Sequence, residues 1–305
     1  MARWAVETRS LTKRFYNHLA VDQLELKVPE GSIFGLMGPN GAGKTTIIKM
    51  LMGIIQPTAG EGFILGQDIG DKTGEVRHRV GYVPDFPNLY PRFQVKEILE
   101  FCRRTYRYWD SQRCNQLMKV FQLPLQLRIQ ALSKGMKTHL ALVVALSIRP
   151  QLLILDEPTS ALDPVVRRLF LQAVVQEAAT NGTTVLYSTH QLSDLERIAD
   201  HLALLNQGQL LFCRSIENLK ASIRGLQVVL PEGIPAEIEN LPGVIGIEAR
   251  GKVFTLIIDG NYPEIQMRIE KWGPIYCENI DLSLEDIFIY TMKKEGYSHE
   301  TPLLE

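Results

Sequence analysis

The spacing of apolar residues changes along this chain, and each change predicts a different kind of structure. Up to about residue 75, apolar and polar positions alternate, as at 24–28, which predicts half-buried strands. From about 94 to 149 the apolar positions recur with a helical period, as at 95–102. The pattern predicts a strand-rich opening segment that is followed by a helical insertion at about 87–150.

After Pro150 the pattern changes again. Four consecutive aliphatic residues at 152–155 are typical of a strand that is covered on both faces of a mainly parallel sheet. Helical and strand patterns then alternate, which is the signature of an α/β fold. The predicted elements are helices at 165–179 and 191–199, strands at 184–188 and 203–205, and a hairpin turn at 206–209.

A domain boundary is predicted near residues 221–225, which gives a first domain at 1–222 and a second at 223–295. Short strand-like runs separated by Pro and Gly follow this boundary, together with two helix-like segments, and they predict a small α+β domain. The strands are predicted at 227–230, 244–248 and 253–258, and the helices at 263–272 and 284–293. Residues 296–305 are interpreted as a tail.

Composition narrows the possible partners. The formal net charge of the 305 residues is -1, so no basic surface is indicated for nucleic acid or an anionic membrane. The longest apolar runs, 140–148 and 152–155, are shorter than the roughly 20 residues of a spanning helix. Any membrane contact is therefore expected to come through a partner. The four cysteines show no Cys-x-x-Cys spacing, so neither a zinc site nor a disulfide framework is indicated.

The strongest chemical signal is a glycine-rich loop directly after the apolar run at 33–37. Residues 38–46 read Gly-Pro-Asn-Gly-Ala-Gly-Lys-Thr-Thr. Gly38, Gly41 and Gly43 allow a positive-φ backbone whose N–H groups turn toward phosphate oxygens, and Lys44 and Thr45 open a helix whose positive end favours anions. The predicted nucleotide ligands are Gly38, Pro39, Asn40, Gly41, Ala42, Gly43, Lys44, Thr45 and Thr46. The alternative is a glycine-rich turn that only connects a strand to a helix.

Motifs further along the chain distinguish among nucleotide-binding proteins. Leu-Ser-Lys-Gly-Met at 132–136 precedes the aliphatic strand, Asp-Glu-Pro-Thr-Ser at 156–160 ends it, Ala-Leu-Asp follows at 161–163, and His190 follows the next strand. In this order and spacing they resemble the ATP-binding subunit of an ABC transporter, over residues 5–220. The resemblance implies an α/β P-loop NTPase fold of the ABC ATPase type, with an N-terminal antiparallel β subdomain and a helical insertion.

The resemblance also assigns roles at the ends of the strands. Asp156, together with Thr45, is expected to hold Mg²⁺, an ion that prefers oxygen ligands. Glu157 is expected to orient and deprotonate the attacking water, and His190 and Lys44 to contact the phosphates. The alternatives are a helix cap with spare carboxylates at 156–157 and a surface or core histidine at 190.

Several positions depart from the commonest family pattern. The signature motif keeps Ser133 and Gly135, which in the family cover the γ-phosphate bound by the other subunit, but it has Lys134 and Met136 instead of Gly and Gln. His139 stands where arginine is usual. Lys134 and Met136 resemble a variant in bacterial two-component exporters, and loss of function is the alternative. Asp85 stands where most relatives have a glutamine that meets magnesium, and its carboxylate still offers oxygen to the ion.

Three further assignments rest on the resemblance. Phe15, or alternatively Tyr16, is expected to stack on adenine, and a core aromatic is the other interpretation of Phe15. Asp163 resembles a loop aspartate that communicates between subunits, and it also suits a helix cap before Pro164. The apolar loop at 86–91 is expected to receive a coupling helix from the membrane subunit, or else to be a buried connector.

These observations predict an ATPase that powers a separate transmembrane permease, with ATP and Mg²⁺ as cofactors. Two ATP-binding subunits, identical or paralogous, are expected to close around two ATP molecules at the cytoplasmic side of the membrane. The signature variant and the C-terminal domain favour export over import. The rival functions are a soluble ABC protein acting on ribosomes or DNA, and a binding module with little turnover.

Overall fold

The computed structural model describes residues 3–71, 73–160, 162–231 and 233–294. The chain divides into two compact units, Met1–Arg214 and Ser215–Glu305. This division lies eight residues before the predicted boundary between residues 222 and 223. The tail predicted at 296–305 and the Ala161 of the Ala-Leu-Asp motif lie outside the described residues.

The first unit combines strands and helices in the predicted order. Its elements are β1 (Trp4–Phe15), β2 (His18–Leu24), β3 (Lys27–Pro29), β4 (Ile33–Met37), α1 (Lys44–Leu51), β5 (Ala59–Ile64), β6 (Gln67–Asp68), β7 (Val80–Val83), α2 (Val95–Thr105), α3 (Ser111–Val120), α4 (Lys134–Ser147), β8 (Leu152–Asp156), α5 (Pro164–Asn181), β9 (Thr184–Thr189), α6 (Leu192–Ile198), β10 (His201–Asn206) and β11 (Gln209–Ser215).

Two sheets organise these strands. Among the described residues the first runs in the order β2-β1-β5-β6, with β3 also paired to β1, and its pairs are antiparallel. The second runs in the order β11-β10-β4-β9-β8-β7, and the pairs from β10 to β7 are parallel. Every residue of β4, β8 and β9 is buried, as expected for parallel strands covered on both faces. The predicted fold class is confirmed.

Strand register places the ends of three strands side by side. Met37, the last residue of β4, is paired with Thr189 of β9. Asp156, the last residue of β8, is paired with Ser188 of the same strand β9. Because the carboxyl ends of parallel strands meet at one edge of the sheet, the residues that follow β4, β8 and β9 converge there.

Side-chain caps fix where the helices at this edge begin. Ser133 Oγ accepts a hydrogen bond from the backbone N–H of Met136, and α4 starts at the next residue, Lys134. Asp163 Oδ1 accepts from the backbone N–H groups of Val165 and Val166, at 3.0 and 3.1 Å, and α5 follows. The cap that the sequence allowed at Asp163 is therefore present.

The second unit is a small α+β domain. Its elements are α7 (Ile216–Ser222), β12 (Ile223–Val229), β13 (Val244–Arg250), β14 (Val253–Asp259), α8 (Tyr262–Glu270), β15 (Tyr276–Ile280) and α9 (Leu284–Lys294). The strands form an antiparallel sheet in the order β13-β14-β12-β15. Leu226 and Leu256 from the sheet and Ile265 and Ile269 from α8 belong to one buried cluster. The sequence did not predict α7 or β15. In the described part of the chain, no helix is both long and apolar enough to cross a membrane.

Candidate functional site

The glycine-rich loop connects β4 to α1 at the convergent edge of the parallel sheet. Gly41 and Gly43 have positive φ angles of 83° and 104°, as predicted, so residues with a Cβ would be strained there. Gly38 is different from the prediction, because its φ is not in this region. A Cβ at Gly38 would lie only 2.4 Å from the carbonyl oxygen of Leu205 on β10. Gly38 therefore serves close packing rather than an unusual backbone angle.

Lys44 is buried inside this loop. Its Nζ donates hydrogen bonds to the carbonyl oxygens of Gly38 (2.7 Å) and Pro39 (3.3 Å). The same ammonium lies 3.2 Å from Glu157 Oε1, which follows β8. A fixed positive charge thus sits where the loop N–H groups and the first turn of α1 already favour anions.

Glu157 links Lys44 to His190. The second oxygen of Glu157, Oε2, lies 2.8 Å from His190 Nδ1 and accepts from the His190 backbone N–H at 3.3 Å. Glu157 itself has a φ of 47°, an uncommon angle for a residue with a side chain. Its backbone N–H donates to Ser188 of β9 at 3.0 Å, which helps to hold that conformation. Strained residues of this kind cluster at functional sites.

Asp156 lies beside Glu157 and is bonded to two hydroxyl groups. Ser188 Oγ donates to Asp156 Oδ1 at 2.6 Å, and Thr45 Oγ1 donates to the same oxygen at 3.2 Å. Burial raises the pKa of Asp156, the two hydroxyl donors oppose this, and the charges of Glu157 and Asp85 add to it. Ser188 has no assigned role in the sequence prediction. A polar residue within a fully buried strand was the available signal.

The donor set at Thr45 and Asp156 fits magnesium. Mg²⁺ is typically held by one or two carboxylates or hydroxyls together with substrate phosphates and water, so a cluster of three protein carboxylates is not required. Among the described residues, no group of three or more His, Cys, Asp or Glu is suited to hold a metal ion.

Asp85 contacts other residues than Thr45 and Asp156 do. Its Oδ1 lies 3.2 Å from Lys134 Nζ, at the start of α4, and accepts from Ser160 Oγ at 3.1 Å. Burial raises the pKa of Tyr82 to about 12, and the charges of Asp156 and Asp85 add to this effect. Asp85 is therefore close enough to Tyr82 for its charge to act there. Asp85 thus lies beside the predicted metal site and is bonded to the signature motif.

The signature residues lie at the first turn of α4. A Cβ on Gly135 would lie 3.1 Å from Leu162 Cδ2, so the space beside the loop before α5 is narrow. His139 is buried against Phe121, with ring centroids 4.5 Å apart, and burial lowers its pKa. It therefore packs inside the helical segment.

The aromatic residues singled out in the sequence are exposed. Phe15, at the end of β1, is 41% exposed, which excludes the core interpretation, and Lys13 Nζ lies 5.0 Å from its ring centroid. Tyr16 is almost fully exposed. In the loop after β7, Phe86 and Tyr90 are also exposed, so the interpretation as a buried connector does not describe them.

A buried polar network behind the site was not predicted. Asp194 Oδ2 accepts from Thr159 Oγ1 (2.7 Å) and from the Tyr187 hydroxyl (3.1 Å), and Asp194 Oδ1 lies 2.6 Å from Arg167 Nε. These residues come from the loop after β8, from β9, from α6 and from α5. The network ties together the segments that carry Glu157, His190 and Asp163.

A cavity of about 650 Å³ lies away from this edge. Its lining includes Arg79 and Gln151, which precede β7 and β8, so it is at the amino ends of the strands. The glycine-rich loop, Lys44 and the carboxylates lie instead at the convergent carboxyl edge of the sheet.

Comparison with known proteins identifies the family of this chain. A family model described as ABC transporter matches residues 21–160. A Nod factor export ATP-binding protein I from Cupriavidus metallidurans is 33% identical over 300 residues, which cover 95% of this chain and 98% of that protein. The ABC transporter ATP-binding protein YtrB of Bacillus subtilis is 29% identical over 286 residues, which cover 93% and 97%.

Solved structures of ATP-binding subunits and cassettes share the fold of this chain. The structure of an ATP-binding subunit of an ABC transporter matches with a TM-score of 0.65 and 27% identity, over 71% of this chain and 92% of the other. A dimeric ATP-binding cassette bound to ADP and Pi, in a post-hydrolysis state, shares the fold with a TM-score of 0.63 and 24% identity, over 69% and 98%. This chain therefore belongs to the ATP-binding subunits of ABC transporters, ATPases whose hydrolysis is coupled to transport.

Proposed function

We propose that this chain hydrolyses magnesium-bound ATP at a composite site between two ATP-binding subunits, and that it drives export through a separate transmembrane permease. The observation that carries this proposal is the contact series from Lys44 to Glu157 to His190 beside the glycine-rich loop. It brings a phosphate-binding cation, a candidate base and a candidate phosphate sensor within hydrogen-bonding distance of one another.

In this proposal each residue acts according to its surroundings. The backbone of residues 38–46 and the Lys44 ammonium bind the phosphates, since both present positive charge. Phe15 supplies an exposed ring face for adenine. Glu157 orients and deprotonates the attacking water, and His190, held on Glu157 Oε2, contacts the γ-phosphate.

Thr45 and Asp156, with Asp85 nearby, would hold Mg²⁺. The ion supplies neutralisation of the charge that develops on the phosphate oxygens. The chain's own contribution is to keep Asp156 in place through Ser188 and Thr45.

Ser133 and Gly135 act on the nucleotide of a second subunit. The hydroxyl of Ser133 and the N–H groups at the start of α4 form a second anion-binding helix end, beyond the one at α1. The second subunit is another copy of this chain or a paralogue.

In this proposal the permease moves the transported molecule across the membrane, and this chain lies at the cytoplasmic face. Exposed Phe86 and Tyr90, with Phe93 stacked on Tyr90 at 5.2 Å between ring centroids, offer an apolar surface to it. Export is favoured because relatives that span most of this chain are named as export proteins.

The experiment combines ATP hydrolysis with measurement of mass in solution. The purified protein is expected to hydrolyse ATP only with Mg²⁺, and a Glu157→Gln variant is expected to shift from monomer to dimer when ATP is added. Ser133→Ala should weaken that dimer, while Ser111→Ala, which changes the first residue of α3, should not. Hydrolysis by a strict monomer, or an unchanged dimer with Ser133→Ala, would contradict the composite site.

A further inference from the structure

Two unusual residues of this chain are bonded to each other. Asp85 replaces the usual glutamine after β7, and Lys134 replaces the usual glycine of the signature motif, 49 positions later. In the folded chain, Lys134 Nζ lies 3.2 Å from Asp85 Oδ1. The two residues that depart from the family pattern therefore carry opposite charges and contact each other.

The ammonium of Lys134 has further partners at this place. It lies 3.9 Å from the centroid of the Phe86 ring, an attractive arrangement for a cation over an aromatic face. It also donates to Ser160 Oγ at 3.4 Å, and Ser160 in turn donates to Asp85 at 3.1 Å. One lysine therefore connects three segments: the start of α4, the loop after β7 and the loop after β8.

Lys134 occupies a position that is unfavourable for a positive charge. Lys134 is the first residue of α4, where the helix dipole disfavours a positive charge. Residue Lys137, in the same turn, has no ion pair with a described residue. The contacts with Asp85, Phe86 and Ser160 offset the unfavourable helix end at Lys134.

The charge balance of the site gives the pair a function. Asp85 adds a further carboxylate close enough to Asp156 for the two charges to interact. Glu157 is balanced by Lys44. Without Lys134, Asp85 would leave an excess of negative charge where the triphosphate must bind, whereas glutamine at this position would need no counter-charge.

We infer that Lys134 is a positioning residue for Asp85, and that the two form an ion pair that replaces the usual glutamine and glycine as one unit. The pair joins the signature helix to the loop beside the metal site within a single chain. The catalytic consequence rests on the proposed function, but the pair itself does not.

The test is a double-variant cycle with Asp85→Gln, Lys134→Ala and the combination of both. Lys137→Ala is the matched control, and Lys134→Arg is the conservative variant. Thermal melting without nucleotide is measured first, because it requires no ATPase activity. Each single change at 85 or 134 should lower the melting temperature by roughly 1–3 °C, the scale of a half-exposed pair, and the combination should recover most of it.

Nucleotide affinity and turnover give the second measurement. Lys134→Ala should weaken ATP binding and lower kcat by up to about fivefold, because the carboxylate is left uncompensated. The same measurements on Asp85→Gln complete the cycle. The double variant should lose less than the two single changes added together, and Lys134→Arg should retain most of the activity of the unmodified protein.

Salt dependence separates an ion pair from simple packing. The coupling between positions 85 and 134 should shrink as the salt concentration rises from about 0.05 to 0.5 M, because exposed pairs are screened. Additive effects in the cycle, or equal effects of Lys134→Ala and Lys137→Ala, would overturn the inference. If the unmodified protein failed to hydrolyse ATP while the melting cycle showed coupling, the proposed function would fail and the pair would stand.

Discussion

Lys44 and Glu157 form a salt bridge, with Lys44 Nζ 3.2 Å from Glu157 Oε1. The side chains are only 5% and 12% exposed, so solvent screens the pair little. Glu157 uses its other oxygen to hold His190. A phosphate oxygen that bound the Lys44 ammonium would compete with Glu157 Oε1 and weaken this salt bridge.

The first prediction concerns Glu157→Gln. Glutamine has the same length and keeps an acceptor oxygen, but it is not a base. ATP hydrolysis should slow about 10²-fold or more, while ATP binding stays equal or becomes tighter because Lys44 loses a competing carboxylate. Steady-state hydrolysis and equilibrium binding of ATP measure the two effects. Glu61→Gln, which changes an exposed residue on β5, is the control. Undiminished hydrolysis in Glu157→Gln would show that Glu157 is not the base.

The second prediction concerns Lys44→Ala. It removes a charged hydrogen-bond donor from the loop, so the free energy of nucleotide binding should weaken by about 1.5 to 3 kcal/mol, or roughly 10- to 150-fold in Kd. Lys49→Ala changes an exposed lysine at the end of the same helix and should leave Kd within about twofold. Titration with ATP gives both values. Equal affinities in the two variants would exclude the loop lysine as a phosphate ligand.

Much of the fold could be predicted from periodicity. The aliphatic run at 152–155 indicated a strand buried on both faces, and β8 covers Leu152–Asp156 with every residue buried. The hairpin turn at 206–209 is present, with positive φ at Gln207 and Gly208 between β10 and β11. These elements were predictable because their signals are local.

Elements with weak local patterns were not predictable. β15 lies at the edge of the second sheet and is mostly exposed, so it lacks a clear apolar repeat. α7 has seven residues, which is short for a periodic signal. The pairing of Asp85 with Lys134 joins residues 49 positions apart, and only tertiary structure brings them together.

The third prediction concerns Arg167→Ala. Arg167 Nε lies 2.6 Å from Asp194 Oδ1, and Asp194 is 2% exposed, so the change leaves a buried carboxylate without its counter-charge. The free energy of unfolding should fall by about 3 kcal/mol, the lower end of the range for breaking a buried pair, because Arg167 is itself partly exposed.

Arg168→Ala is the matched control for that change, since Arg168 is the exposed neighbour on α5. It should alter the free energy of unfolding by no more than about 0.5 kcal/mol. Urea denaturation followed by circular dichroism measures both. Similar midpoints for the two variants would show that the network around Asp194 does not stabilise the first unit.

The last prediction concerns Asp156→Asn and pH. Burial raises the pKa of Asp156 above its usual value of 3.8, so the folded chain holds this proton more tightly than the unfolded chain does. Stability from this group is therefore present below pH 3.8 and is lost as the pH rises through the raised pKa.

Asparagine does not titrate, and its Oδ1 can still accept from Ser188 and Thr45. The stability of Asp156→Asn relative to the unmodified protein should thus increase with pH across that window and remain higher at pH 7, although ATP hydrolysis is lost with the carboxylate. Melting temperatures from pH 4 to 8, without nucleotide or divalent cations, test this. A variant that melts lower at pH 7, or a difference that does not change with pH, would show that the charge of Asp156 does not oppose folding.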